Sequence, residues 1–287
     1  MATAETFPYE GRLDDFTRTV AGAQREIALQ VRNAILSGNL ARASQRRAQL
    51  AAVIATLDQL GAYVDPAARK LVADAYSQGA GRALQQIQGL TITAPEIPGA
   101  FAGVSTEAVA ALQRSIVGSL QASRDTIGRQ VDDLYAREGR RAALRAVLGA
   151  DGSPQGARRQ LAARIREQGL AGFVDKAGRA WKLDTYSAMV VRTVTREAVA
   201  QGAMDRMASN GITLARWSTH GDACPICTPW LGRLVSLDGE TRDFEGEAVA
   251  DLGSTPGVPA HPNCKCTLSP VATRVERLRR ELATTGG

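Results

Sequence analysis

All four cysteines of this 287-residue chain, and one of its only two histidines, fall into two short clusters. The first is Cys224-Pro-Ile-Cys227. The second, 33 residues further on, is His261-Pro-Asn-Cys264-Lys-Cys266. A CxxC turn presents two thiolates to one tetrahedral metal ion, and a second close-set pair from a distant loop completes the shell. Five donors compete for four positions. Cys224, Cys227 and His261 are the first three, and the fourth is Cys264 or Cys266, because alternate residues seldom bind one ion together. Inert buried thiols and a pair of disulfides are the competing readings. The pattern favours structural Zn2+, whose binding is worth ~10–16 kcal/mol, comparable with the ~5–15 kcal/mol stability of a whole domain. The stretch between the clusters is rich in glycine and in acids (Asp238, Glu240, Asp243, Glu245, Glu247, Asp251), so it needs a clip at its ends.

The rest of the chain reads as helices. Aromatic residues make up only 5% of it, and an alanine-rich, aromatic-poor composition favours helix over sheet. Leu13, Phe16, Val20, Ile27, Val31 and Ile35 lie at helical spacing, and Ser37-Gly38-Asn39 breaks the stripe. A second helix is predicted over 40–60, ended by Gly61. A third starts at Asp65-Pro66, an N-cap followed by proline at the first helical position. Three such helices form an N-terminal bundle over 1–90. Residues 91–104, with two prolines and two glycines, read as a linker or extended arm. Ser105 then caps what the sequence suggests is the longest helix. A long helix, a basic stretch and a further helix over 186–210 fill 105–210. From Ile212 the period changes to two, so 211–270 is a small β-containing zinc module and 271–287 a tail. The predicted fold class is α+β: a predominantly α-helical body with a small C-terminal β-containing zinc-binding module.

Charge narrows the function classes. The formal net charge is +6, and only four of the 35 basic residues are lysine. Most of that charge sits between Arg137 and Glu167, where eight arginines (Arg137, Arg140, Arg141, Arg145, Arg158, Arg159, Arg164, Arg166) face three acids. Such a run is ordinarily a solvated helix face. Its sharper readings are contact with an acidic protein surface or with phosphates, including those of double-stranded DNA. No aromatic residue interleaves it, which argues against stacking on single strands. No window approaches the ~20 apolar residues of a membrane span. The first ten residues lack a signal-peptide pattern, so the expected compartment is a reducing cytoplasm.

Catalytic patterns are missing. There is no HExxH, no HxE with a following PCxxC, and no phosphate-binding glycine loop. The one remaining histidine, His220 with Asp222, is too little for a nuclease site, so a zinc-dependent nuclease or DNA-processing enzyme is the alternative rather than the leading reading. The expectation is no catalytic residue and no enzyme.

An ordered set of residues resembles a known family, the minor capsid or head morphogenesis proteins of tailed bacteriophages. It runs from Gly172-Phe-Val-Asp-Lys-Ala-Gly178-Arg-Ala-Trp181 through Tyr186, Met189-Val-Val-Arg192-Thr193 and Trp217-Ser-Thr-His220. It continues with Cys224-Pro-Ile-Cys227-Thr-Pro-Trp230-Leu-Gly232. It closes on His261-Pro262-Asn263-Cys264-Lys265-Cys266, which is similar to the family's terminal signature with Lys265 in place of arginine. The resemblance covers about 172–270. It implies a virion component present in few copies, portal protein and other head proteins as partners, a part in procapsid assembly or DNA packaging, and for some members contact with DNA.

Overall fold

Three- and four-residue spacing of apolar side chains becomes four α-helices among the described residues of a computed structural model. The structure describes residues 10–37, 39–90, 105–148, 159, 163, 181–219, 223–244, 246–261 and 264–271, with side chains in the long central helix followed to residue 142. The helices are α1 (Glu10–Ser37), α2 (Ala43–Leu90), α3 (Thr106–Leu148) and α4 (Leu183–Ser209). The stripe predicted for α1 is its buried face, and Leu13, Phe16, Val20, Ile27, Val31 and Ile35 are each at most 4% exposed.

The expected break at Gly61 is absent. One helix runs through Gly61 and Pro66, so two helices occupy the region where three were predicted. The apolar face explains this: Leu57, Leu60, Val64, Ala68 and Leu71 are all buried and keep one helical phase across the proline. Burial of that face outweighs the local stop signals. At 48 residues α2 also exceeds the 43 of α3, which the sequence suggested was longest. Ser105 does cap α3, with its hydroxyl accepting from the Ala108 N–H at 3.1 Å. Helix α4 ends as Asn210-Gly211 foretells. Gly211 has φ +71°, its N–H reaches the Ala208 carbonyl, and the Ile212 N–H reaches that of Met207.

The chain divides into two compact units. One is built from Glu10–Ala68 and Ile116–Val190. It holds a bidentate ion pair, Arg124 to Asp65 at 2.8 Å on both oxygens, with the arginine only 9% exposed. Gly61 makes room for it, since a Cβ there would lie 3.0 Å from the guanidinium carbon.

The other unit combines Arg69–Ser115 with the described residues from Val191 onward. It carries a five-stranded sheet of β1 (Leu214–Thr219), β2 (Leu234–Ser236), β3 (Arg242–Phe244), β4 (Glu247–Asp251) and β5 (Cys266–Val271). The strand order is β3-β4-β2-β1-β5, antiparallel throughout except for the β2–β4 pair. Alternation along the strands makes two apolar faces. Ala215, Trp217, Val235 and Leu268 pack with Ala83 and Ile87 of α2 and with Ala200 and Met207 of α4. Leu214, Leu234, Phe244, Val249 and Val271 form the second cluster. Inside this unit the Tyr76 hydroxyl donates to the Asp205 carboxylate and accepts from the Ser105 N–H, tying α2, α4 and the start of α3. No helix of the described residues is long and apolar enough to cross a membrane.

Candidate metal centre

Strand pairing brings the two cysteine clusters together. Strand β1 ends at Thr219, which stands opposite Cys266 at the start of antiparallel β5. The loop leaving β1 and the loop entering β5 therefore emerge at the same end of the sheet. The first loop folds back at once, with the N–H groups of Cys227 and Thr228 donating to the Cys224 carbonyl at 3.0 and 2.9 Å. Thr228 adds its hydroxyl to the same oxygen. In the second loop the Cys264 N–H donates to the His261 carbonyl, and Arg196 of α4 holds the Cys264 carbonyl at 2.9 Å.

The donor atoms form two triangles that share Cys227: Cys224, Cys227 and His261, and Cys227, Cys264 and Cys266. Within each, the atoms lie inside 4.8 Å of one another. His261 Nε2 is 2.9 Å from Cys224 Sγ and 3.7 Å from Cys227 Sγ, and Cys227 Sγ is 3.7 Å from Cys264 Sγ. With Zn–S near 2.3 Å and Zn–N near 2.0–2.1 Å, a tetrahedral shell has edges of about 3.8 Å between sulfurs and about 3.6 Å between sulfur and nitrogen. Two of the three distances match those edges. All four cysteines are free thiols, and 3.7 Å is far beyond the ~2.05 Å of a disulfide. Soft sulfur donors with one imidazole suit zinc.

The site's electrostatics favour thiolates unevenly. Burial works against ionisation of Cys224, but the N–H groups of Cys227 and Ile226, the Cys227 thiol and His261 outweigh it and bring this thiol down to about 7. Burial also opposes ionisation of Cys264, and the N–H groups of Cys266 and Ala260 outweigh it. Burial, with the other three cysteines around it, pushes Cys227 up; burial pushes Cys266 up as well. Without a cation, four thiols crowded together cannot all ionise.

Sequence reading quoted Trp217 and Trp230 only within the family resemblance and did not place them as the frame around these donors. Trp217 is 1% exposed and stacks on Trp230 at 5.9 Å, while Arg233 lies over the outer indole. The Trp217 indole N–H is buried without a hydrogen bond of standard geometry and lies against the Cys266 sulfur, where it favours the thiolate. Nothing in the sequence signals Arg196 as the brace of Cys264.

The other predicted residues divide. Arg137, Arg140 and Arg141 are exposed on α3, and Arg141 pairs with Glu138 at 2.7 Å. Arg145 continues the same helix and Arg159 is exposed. Arg158, Arg164, Arg166, His220 and Asp222 lie outside the described residues, as does the tail beyond Val271.

Comparison with protein families decides the identity. The model of phage minor capsid protein 2 matches residues 25–282, nearly the whole chain. The chain belongs to that family. No curated protein and no solved structure matches it. Membership makes this minor capsid protein a structural component of a phage head, with other head proteins as partners and the virion as its place. The match reaches back over the N-terminal helices, which carry no motif that sequence reading alone picks out.

Proposed function

We propose that this minor capsid protein is a non-enzymatic assembly component that acts at the portal during procapsid assembly or DNA packaging, and that it carries one structural zinc. Made in the host cytoplasm, it enters the head bound to portal protein through its helical surfaces. The observation that carries the zinc reading is the meeting of Cys224, Cys227 and His261 with a fourth sulfur at a tetrahedral edge. Four protein ligands close the shell and leave no open position for a substrate, which is the structural rather than the catalytic arrangement.

Cys264 is the fourth ligand in this reading. Its sulfur stands at the edge distance from Cys227 and accepts the Cys266 N–H at 3.5 Å, the kind of support a metal-bound thiolate receives. Cys266 instead belongs to the strand and faces Trp217. Metal analysis of protein prepared without chelator is expected to give about one zinc per chain. Cys227→Ser and Cys264→Ser remove it, whereas Cys266→Ser retains it. Metal-free, fully folded protein sinks the zinc reading, and zinc kept by Cys264→Ser but lost from Cys266→Ser reassigns the fourth ligand. For the portal, cross-linking in procapsids is expected to join this chain to portal protein. A chain spread evenly over the capsid faces, or missing from procapsids and virions alike, overturns that part.

A further inference from the structure

The fold adds a second run of arginines to the one visible in 137–166. A Cβ on Gly139 of α3 would lie 2.5 Å from the Leu40 carbonyl oxygen and 2.7 Å from a guanidinium nitrogen of Arg46. The start of α2 and the later part of α3 therefore touch, and Arg42, Arg46 and Arg47 join Arg137, Arg140 and Arg141 at one end of the helix pair. Five of the six are exposed; Arg46 is half-buried and donates to the Leu40 and Ala41 carbonyls at 2.8 and 3.0 Å. Glu138 pairs with Arg141, and Asp132 and Asp133 stand one turn from Arg137 on α3, which leaves six arginines against three acids. No acid occurs between residues 39 and 57.

This end of α2 is charged against its own dipole. The Arg46 N–H donates to the Arg42 carbonyl, so Arg42 stands where an N-cap belongs. Its side chain has no acceptor for the exposed N–H groups, and the first turn carries no acidic residue. Helix N-termini attract anions and repel cations. Arginines gathered there from two helices are relieved by a polyanion. The residues between them are small or polar (Ala43, Ser44, Gln45, Ala48, Ala136), and Tyr135 is 1% exposed. A protein interface uses large apolar or aromatic anchors, and a single strand needs exposed rings on which to stack. Neither is offered. We infer that the arginine end of the α2–α3 pair binds the phosphate backbone of duplex DNA without reading its sequence. This goes beyond the portal reading and stands or falls apart from it, since the test needs no particle.

The test measures binding of the full chain to a fluorescein-labelled DNA duplex of arbitrary sequence across a salt series. A fourfold variant, Arg42→Ala, Arg47→Ala, Arg140→Ala and Arg141→Ala, is compared with a charge-matched one that replaces Arg18, Arg25, Arg69 and Arg114. Each lost phosphate contact lowers the log–log salt slope by ~0.9, so the patch variant is expected to lose about 3 to 4 in slope and at least about tenfold in affinity near 0.1 M salt. The matched variant is expected to lose far less. Two double variants, one per helix, are each expected to give about half the drop and serve if the fourfold variant does not fold. Equal weakening in the patch and matched variants overturns the inference, because net charge then explains the binding. An effect confined to the α3 pair overturns the composite patch. Polyglutamate competing as well as unlabelled duplex overturns DNA in favour of an acidic protein surface.

Discussion

Gly79 and Gly202 set how closely α2 and α4 approach. A Cβ on Gly202 would lie 2.1 Å from the Tyr76 carbonyl oxygen, and one on Gly79 would lie 2.0 Å from that of Val199. Both obstacles are backbone, so no side chain can swing aside. Alanine at either site gains about 1 kcal/mol of helix propensity, but forcing the helices apart costs typically 1–3 kcal/mol and occasionally more. The steric term wins, since the clash is over an ångström inside normal contact. With the propensity gain subtracted from a cost at the upper end of that range, Gly202→Ala is expected to lower the urea midpoint by an amount equivalent to about 2 kcal/mol with an unchanged slope. Gly81→Ala on α2, two residues beyond Gly79, serves as the contrast: nothing lies within 4 Å of its Cβ position, so propensity alone acts and stability rises. Equal effects at the two sites would show that the crossing is not as close as drawn.

Pro66 gives the element-scale counterpart. It is exposed within α2, has no N–H for the Ala62 carbonyl and crowds the preceding turn. Its side chain is exposed, so Pro66→Ala is expected to stabilise the protein by about 1–3 kcal/mol, read as a higher thermal midpoint; a lower midpoint would show that the proline shapes a bend the packing requires. The same residue shows what was legible beforehand. Asp65-Pro66 is a good helix start considered locally, and the buried sequence from Leu57 to Leu71 overrides it. Elsewhere local chemistry and packing agree, and the Ser105 cap, the Gly211 stop and the α1 stripe were all readable. Strands β3 and β4 were not. They span three and five residues, and the turn between them rests on Asp243 accepting the Gly246 N–H. At the candidate metal centre, the meeting of the two Cys/His clusters was readable from spacing alone. That Trp217 and Arg196 lie against them was not, because strand pairing and α4 bring these residues there over long sequence separations.

For the whole molecule, the two compact units differ in what metal removal should do to them. Every described residue of the two donor triangles belongs to the unit built around the sheet. There Cys227, Cys264 and Cys266 pack in the same apolar cluster as Trp217 and Leu268. On the zinc reading proposed above, taking away an ion worth ~10–16 kcal/mol leaves that cluster with crowded thiols and no cation, against a domain stability of only ~5–15 kcal/mol. The other unit holds Arg124–Asp65 and the α1 core, and its described residues offer no metal site. Tryptophans report the two separately. Trp217 and Trp230 stack inside the sheet unit, whereas Trp181 meets Tyr186 in the other. In a Trp181→Phe background, chelator is expected to shift tryptophan emission to the red while most far-UV helical signal persists, and added zinc is expected to reverse the shift. A simultaneous collapse of emission and ellipticity would mean that the metal holds both units. Emission that ignores the chelator would mean that hydrophobic packing, not the ion, closes the loops around Cys224 and His261.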